Sequence, residues 1–183
     1  VFDADPARFR AERVDLRNTR AQFLSRTGKL PEAIALLRAI LPDANRVWAE
    51  NHRDLLTLYN NLLVYMLQAD QVDAMPAIFA EANAVIARTG QQSSMQGLAI
   101  RQLQAVRLIK LDRFAEAEAI LIDVVVRRRA VFGASGGMAV DLFSGSICTA
   151  RTWTSKSPAL WAKAGIQPLA PAGRISSRAT GWR

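Results

Sequence analysis

Apolar residues in the middle of the chain return every three or four positions. Leu55, Leu58, Leu62, Leu63 and Met66 form one series, and Met75, Ile78, Phe79, Ala82 and Ile86 form the next. That spacing keeps each series on one face of an α-helix. The pattern breaks at Gln68–Gln71 and stops at Gly90, which predicts two helices joined by a short turn. Pro76 falls in the first turn of the second helix, where its missing N–H does little harm. Pro31, shortly after Gly28, plays the same part upstream. Downstream the pattern predicts another pair, from about Met95 to Leu111 and from Phe114 to Phe132, with Gly133 as the stop.

The pairs repeat at a fixed distance. GKLPEAIALL (Gly28–Leu37), DQVDAMPAIF (Asp70–Phe79) and DRFAEAEAIL (Asp112–Leu121) start 42 residues apart, twice. Their columns agree in type: Leu30, Val72 and Phe114; Ala35, Ala77 and Ala119; Leu36, Ile78 and Ile120; Leu37, Phe79 and Leu121. A small or adaptable residue fills the Ala33, Met75, Ala117 column. The same offset aligns Leu16, Leu58, Ile100 and Leu142, then Leu24, Met66 and Leu108. A lone helix pair buries one face only, so neighbouring pairs must stack to close a core. Ala21, Ala33, Ala105 and Ala117 are expected where the helices of a pair approach closely.

These turn-plus-helix segments, with Ala33 and Ala117 in a small-residue column, resemble the tetratricopeptide repeat family. YNNLLVYM (Tyr59–Met66) is similar to the Asn-Leu-Ala-x-x-Tyr stretch of that family's first helix. The period exceeds the common one of about 34 residues. It resembles the kinesin-light-chain-like subgroup, which is also common in bacterial regulatory and signalling proteins. There a longer second helix precedes a Gly…His-Pro-Asp-Thr linker. NHRDLLTL (Asn51–Leu58) looks like a degenerate version of it, and FGASGGMAVDL (Phe132–Leu142) looks like the next. Met75 and Leu63 depart from the family by replacing small residues, and its tyrosine is here Leu24, Met66 or Leu108. The resemblance covers residues 12–147. It implies an all-α fold of antiparallel helix hairpins stacked in a right-handed superhelix, an α-solenoid. Residues 1–147 would hold three repeats and the start of a fourth.

In the family, ligand peptides lie along the first helices, on the concave side, between asparagines and apolar positions. Carried over through the matched stretch, this picks Asn60 and Asn61. By register it adds Asn18, Gln22, Gln102, Val64, Leu67, Val106 and Ile109. An amide side chain can donate to and accept from an extended peptide backbone whatever the peptide's sequence. For Asn61, a tie between neighbouring repeats is an equal alternative. The implied function is a non-catalytic protein-interaction module. It would bind a peptide or partner domain within a larger regulatory or signalling protein.

Charge and composition change the picture mainly at the C-terminal end. The net charge is +8, but residues 1–141 carry 18 basic and 16 acidic side chains. The excess comes from Arg151, Lys156, Lys163, Arg174, Arg178 and Arg183, and no acid follows Asp141. Residues 148–183 form a basic tail rich in Ser, Pro and Gly that holds Trp153, Trp161 and Trp182. A poorly ordered end or a shifted reading frame is preferred for it. An arm touching single-stranded nucleic acid is the alternative, which would make the chain a nucleic-acid-associated regulator. Nucleic acid is otherwise disfavoured as a partner. Exposed terminal repeats are candidates for self-association.

No apolar run has transmembrane length, and Val1 begins no signal-peptide pattern, so a cytoplasmic location is expected. The missing initiator methionine suggests a fragment or a processed chain. One cysteine, Cys148, and one histidine, His52, leave little for a metal, a cofactor or acid–base chemistry, and none is expected. His52-Arg53-Asp54-Leu55 looks like the start of a kinase catalytic loop. The asparagine five residues after the aspartate is replaced by Tyr59, and no glycine-rich loop or Asp-Phe-Gly accompanies it. It reads as an entry to a helix. Gly133–Gly137 lacks the Lys-Ser/Thr of a phosphate loop. Ser144–Ser146 has no nucleophile-elbow pattern. Arg127–Arg129, near a helix C-terminus where cations suit the dipole, is expected to be a solvated face.

Overall fold

The computed structural model describes residues 6–49 and 52–133, and within them the chain is helical with no strand. The helices are α1 (Pro6–Arg26), α2 (Leu30–Val47), α3 (His52–Gln68), α4 (Met75–Thr89), α5 (Met95–Lys110) and α6 (Phe114–Phe132). One 3₁₀ turn, Val72–Ala74, leads into α4. The expected ends at Gln68, Gly90, Leu111 and Gly133 are met to within one residue. His52–Asp54 is the first turn of α3. The fourth repeat and the tail from residue 148 lie outside the described residues.

The 42-residue period is present in the backbone as well as in the apolar columns. Gly28, Asp70 and Asp112 take left-handed φ values of 80°, 56° and 57°. After each, the next N–H reaches back five residues. Lys29 donates to the Leu24 carbonyl, Gln71 to Met66 and Arg113 to Leu108, all at 2.9 Å. The left-handed residue itself donates three residues back, to Ser25, Leu67 and Ile109 at 3.1, 3.3 and 3.1 Å. This is one helix-ending motif used three times, and it satisfies carbonyls that the helix end would otherwise leave open. Glycine adopts such a φ freely, whereas aspartate does so at some cost.

α4 ends on Gly90, also left-handed, and Ser94 starts α5 by accepting the Gly97 N–H on its Oγ at 3.0 Å. A Cβ on Gly97 would stand 2.1 Å from the Gln91 carbonyl oxygen, so a side chain there would force this turn off α5.

α1 packs on α2, α3 on α4 and α5 on α6; α2 also packs on α3, α4 on α5, and α3 on both α1 and α5. α3 is therefore central, and its Leu55, Leu56, Leu58, Leu62, Leu63 and Met66 are fully buried. The Ala33, Met75, Ala117 column is fully buried, as are Ala21 and Ala105. One core runs from Val14 to Val106, and a smaller one joins Ala105, Leu108 and Ala117 between α5 and α6.

Position in the order changes what a column does. Leu58 and Ile100 are 0 % exposed, while Leu16 in the same column is 71 % exposed. Phe23 is exposed where Tyr65 is buried. α1 has no earlier helix pair against that face among the described residues.

Candidate functional site

The nine residues picked by resemblance lie on α1, α3 and α5, three helices in mutual succession. Asn61 Nδ2 donates to Asn18 Oδ1 at 3.4 Å, a long bond that ties α3 to α1. Asn60 and Gln22 are half-buried and make no side-chain hydrogen bond to another described residue. Leu67 and Val106 are buried in the main core, and Val64 packs against it. Ile109 packs against the smaller cluster. Those four therefore serve packing first and offer a ligand limited surface. The structure brings Asn18 and Asn61 together and gives Gln102 a different partner.

That partner is Arg128. Its Nη2 donates to Gln102 Oε1 at 3.1 Å, and both residues are only 7 % exposed. The Arg128 Nε–H is buried with no acceptor. Loss of water around the guanidinium lowers its pKa, although arginine stays charged at any ordinary pH. The expected solvated face thus holds for Arg129, which is exposed, and for the half-exposed Arg127, but fails for Arg128. The reason is helical phase: Arg128 follows Val124 and Val125 onto the buried side of α6.

Beside it lies an ion-pair group. Arg127 Nε donates to both Asp123 oxygens at 2.9 and 3.0 Å. Arg101 Nε lies 3.1 Å from Asp123 Oδ2 without hydrogen-bond alignment, so that contact is a charge pair only. Two arginines, Arg101 from α5 and Arg127 from α6, therefore share one carboxylate.

A second polar group was missed by sequence reasoning. The buried Tyr59 hydroxyl accepts from Asn45 Nδ2 at 3.1 Å and donates to Glu81 Oε2 at 3.2 Å. It links α2, α3 and α4. Burial raises the Tyr59 pKa, the Asn45 hydrogen bond lowers it, and the Glu81 charge raises it further, for a net rise. α5 is fastened to the preceding turn by Arg107 Nε on the Val72 carbonyl at 2.7 Å and by Lys110 Nζ on Asp70 Oδ1 at 2.6 Å. These contacts hold helices in place.

Among the described residues no three His, Cys, Asp or Glu side chains are grouped to hold a metal ion. No helix there is long and apolar enough to cross a membrane. No protein-family model matches the chain, and no curated protein or solved structure shows significant similarity to it.

Proposed function

We propose that the chain is a non-catalytic interaction module, a tetratricopeptide-like α-solenoid. Antiparallel hairpins α1–α2, α3–α4 and α5–α6 stack in a right-handed superhelix. One observation carries the reading: the same left-handed turn, with the same backbone bonds, recurs at Gly28, Asp70 and Asp112. Equivalent hairpins in a stack call for repeated backbone geometry, beyond a repeated apolar pattern. The packing of α3 against α1, α2, α4 and α5 fits a hairpin with neighbours on both sides.

The ligand is an extended peptide or the segment of a partner domain, held across α1, α3 and α5 within a larger cytoplasmic regulatory or signalling protein. Asn60 and Gln22 are the amides best suited to it, since Asn18, Asn61 and Gln102 already bond within the protein. The exposed Leu16 and Phe23 face of α1 is where a second copy or a neighbouring hairpin would pack.

The test is capture from a lysate of the source cells by the full chain. The Gln22→Ala/Asn60→Ala double variant runs in parallel after a check for equal helicity. A partner held by the wild type and lost from the variant supports a groove along the first helices. Equal capture by both contradicts it.

A further inference from the structure

The two ends of the 42-residue series carry matching contact residues. Within the chain, α5 grips the turn before α4 at two points. Lys110 Nζ meets Asp70 Oδ1 at 2.6 Å, and Arg107 Nε donates to the Val72 carbonyl at 2.7 Å. Two periods earlier, the Lys110 and Arg107 columns hold Arg26 and Phe23 of α1. One period later, the Asp70 and Val72 columns hold Asp112 and Phe114 at the start of α6. Arg26 and Asp112 are exposed, and neither makes a salt bridge to another described residue. Phe23 and Phe114 are 64 % and 37 % exposed. One end thus offers a cation and a ring, and the other a carboxylate and a ring, at the positions that meet inside the chain.

The apolar columns and the charge agree with this. Leu16 of α1 is exposed, whereas Leu58 and Ile100 of its column are fully buried. On α6, Leu121 is half-buried, whereas Leu37 and Phe79 of its column are closed over. Pro6–Arg26 holds six arginines against Glu12 and Asp15. Residues 112–123 hold four acids against Arg113.

We propose that copies of this chain associate head to tail, the α1 face of one copy packing on the α6 end of the next as α5 packs on the α3–α4 hairpin. Arg26 pairs with Asp112 across the contact, and Phe23 packs on Phe114, a pairing of rings that adds to the area buried. The chain's own continuation matches that end less well. Leu142 keeps its column, but Thr149 and Thr152 stand one period after Arg107 and Lys110. A contact between unlike faces leaves one of each open, so copies add until a ring closes or a filament grows. The shape of the contact rests on the stacked-hairpin reading, and the peptide groove plays no part in it.

The experiment is sedimentation velocity of the full chain over a concentration series. The wild type forms species that grow with concentration. Leu16→Gln/Phe23→Gln weakens association about tenfold or more with helicity unchanged, because both side chains are exposed in the single copy. Arg26→Glu and Asp112→Lys each weaken it about threefold to tenfold by setting like charges against each other. An equimolar mixture of those two variants regains it, because each altered end then faces the opposite charge. Asp112→Asn keeps a residue that tolerates the left-handed turn, so it weakens association while Tm holds.

A wild type that stays monomeric at every concentration overturns the proposal. Association unchanged in Asp112→Lys, or not regained in the mixture, identifies an α1-to-α1 contact and also overturns it. Lysate capture separates this contact from the groove. A monomer whose partner is lost in Gln22→Ala/Asn60→Ala removes the head-to-tail contact and leaves the groove standing. Assembly with capture equal in the wild type and that variant keeps the contact and removes the groove.

Discussion

α3 and α6 are both apolar-rich helices of similar length, yet they live in different environments. α3 packs against four other helices, and its leucines are buried all round. α6 packs on α5, and its Ile122, Val126 and Val131 stay exposed. The columns continue through both helices, so composition alone does not set burial. Place in the order does. A leucine column closes a core only where a neighbouring helix pair covers it, as the contrast of Leu58 with Leu16 also shows. The same contrast explains where polar groups are buried. α3 buries the Tyr59 hydroxyl with both partners in place, and α6 buries Arg128 with one donor left over.

The largest effect that sharpens this comparison is truncation of a core leucine. Leu62→Ala in α3 is expected to cost about 2–5 kcal/mol in urea unfolding, through lost burial and the cavity left behind. Ile122→Ala in α6 is expected to stay within about 0.5 kcal/mol. Similar losses at the two sites would break the distinction.

Next comes Tyr59→Phe, which orphans part of the Asn45–Glu81 link and is expected to cost about 1–2 kcal/mol. The same variant has a pH signature. Since the folded protein raises the Tyr59 pKa, neutral Tyr59 contributes stability that is whole below the unfolded tyrosine value, about 10. That contribution is lost as pH rises through the folded value. Urea midpoints measured from about pH 9 upward should therefore fall less steeply in Tyr59→Phe. Tyr65, raised mainly by burial, keeps part of the slope.

Smaller effects belong to the turns. Asp112→Gly should stabilise by up to about 1 kcal/mol, because glycine accepts the left-handed φ that aspartate holds under strain. Gly28→Ala should destabilise by a similar amount. Asp70→Gly should gain less than Asp112→Gly, since it also removes the ion pair to Lys110. The smallest effect is at Asp15, whose pKa is raised by partial burial and then by the charge of Asp54. Its carboxylate form is disfavoured on folding, so its contribution weakens stability as pH rises through that raised value. Asp15→Asn should raise Tm slightly at neutral pH, worth a few tenths of a kcal/mol at most at so exposed a site.

Helix positions were legible because a 3.6-residue apolar period punctuated by Gly and Pro depends on local rules alone. Gln68, Gly90 and Gly133 marked ends that the backbone respects. The column Ala33, Met75, Ala117 was legible as buried for the same reason. The candidate site was less so. Register placed Leu67 on α3 and Val106 on α5 but could not tell an exposed apolar residue from a core one, because both recur at helical spacing. Arg128 was hidden inside an Arg-Arg-Arg run that reads as solvated. The signal that could have found it was its column, where Ala44 and Ile86 stand in the other two periods. The Asn45–Tyr59–Glu81 link joins three helices, and no local pattern announces such a meeting.

The central claim, equivalent stacked hairpins of 42 residues, is tested most directly by inserting a second copy of residues 49–90 after Gly90 and measuring helicity and cooperative unfolding. A stack accepts the added unit as a neighbour for both flanking hairpins. The account predicts a monodisperse protein with proportionally more helix, a single transition and a Tm at or above that of the parent. An insert that leaves helicity unchanged, splits the transition or lowers Tm by several degrees would contradict it.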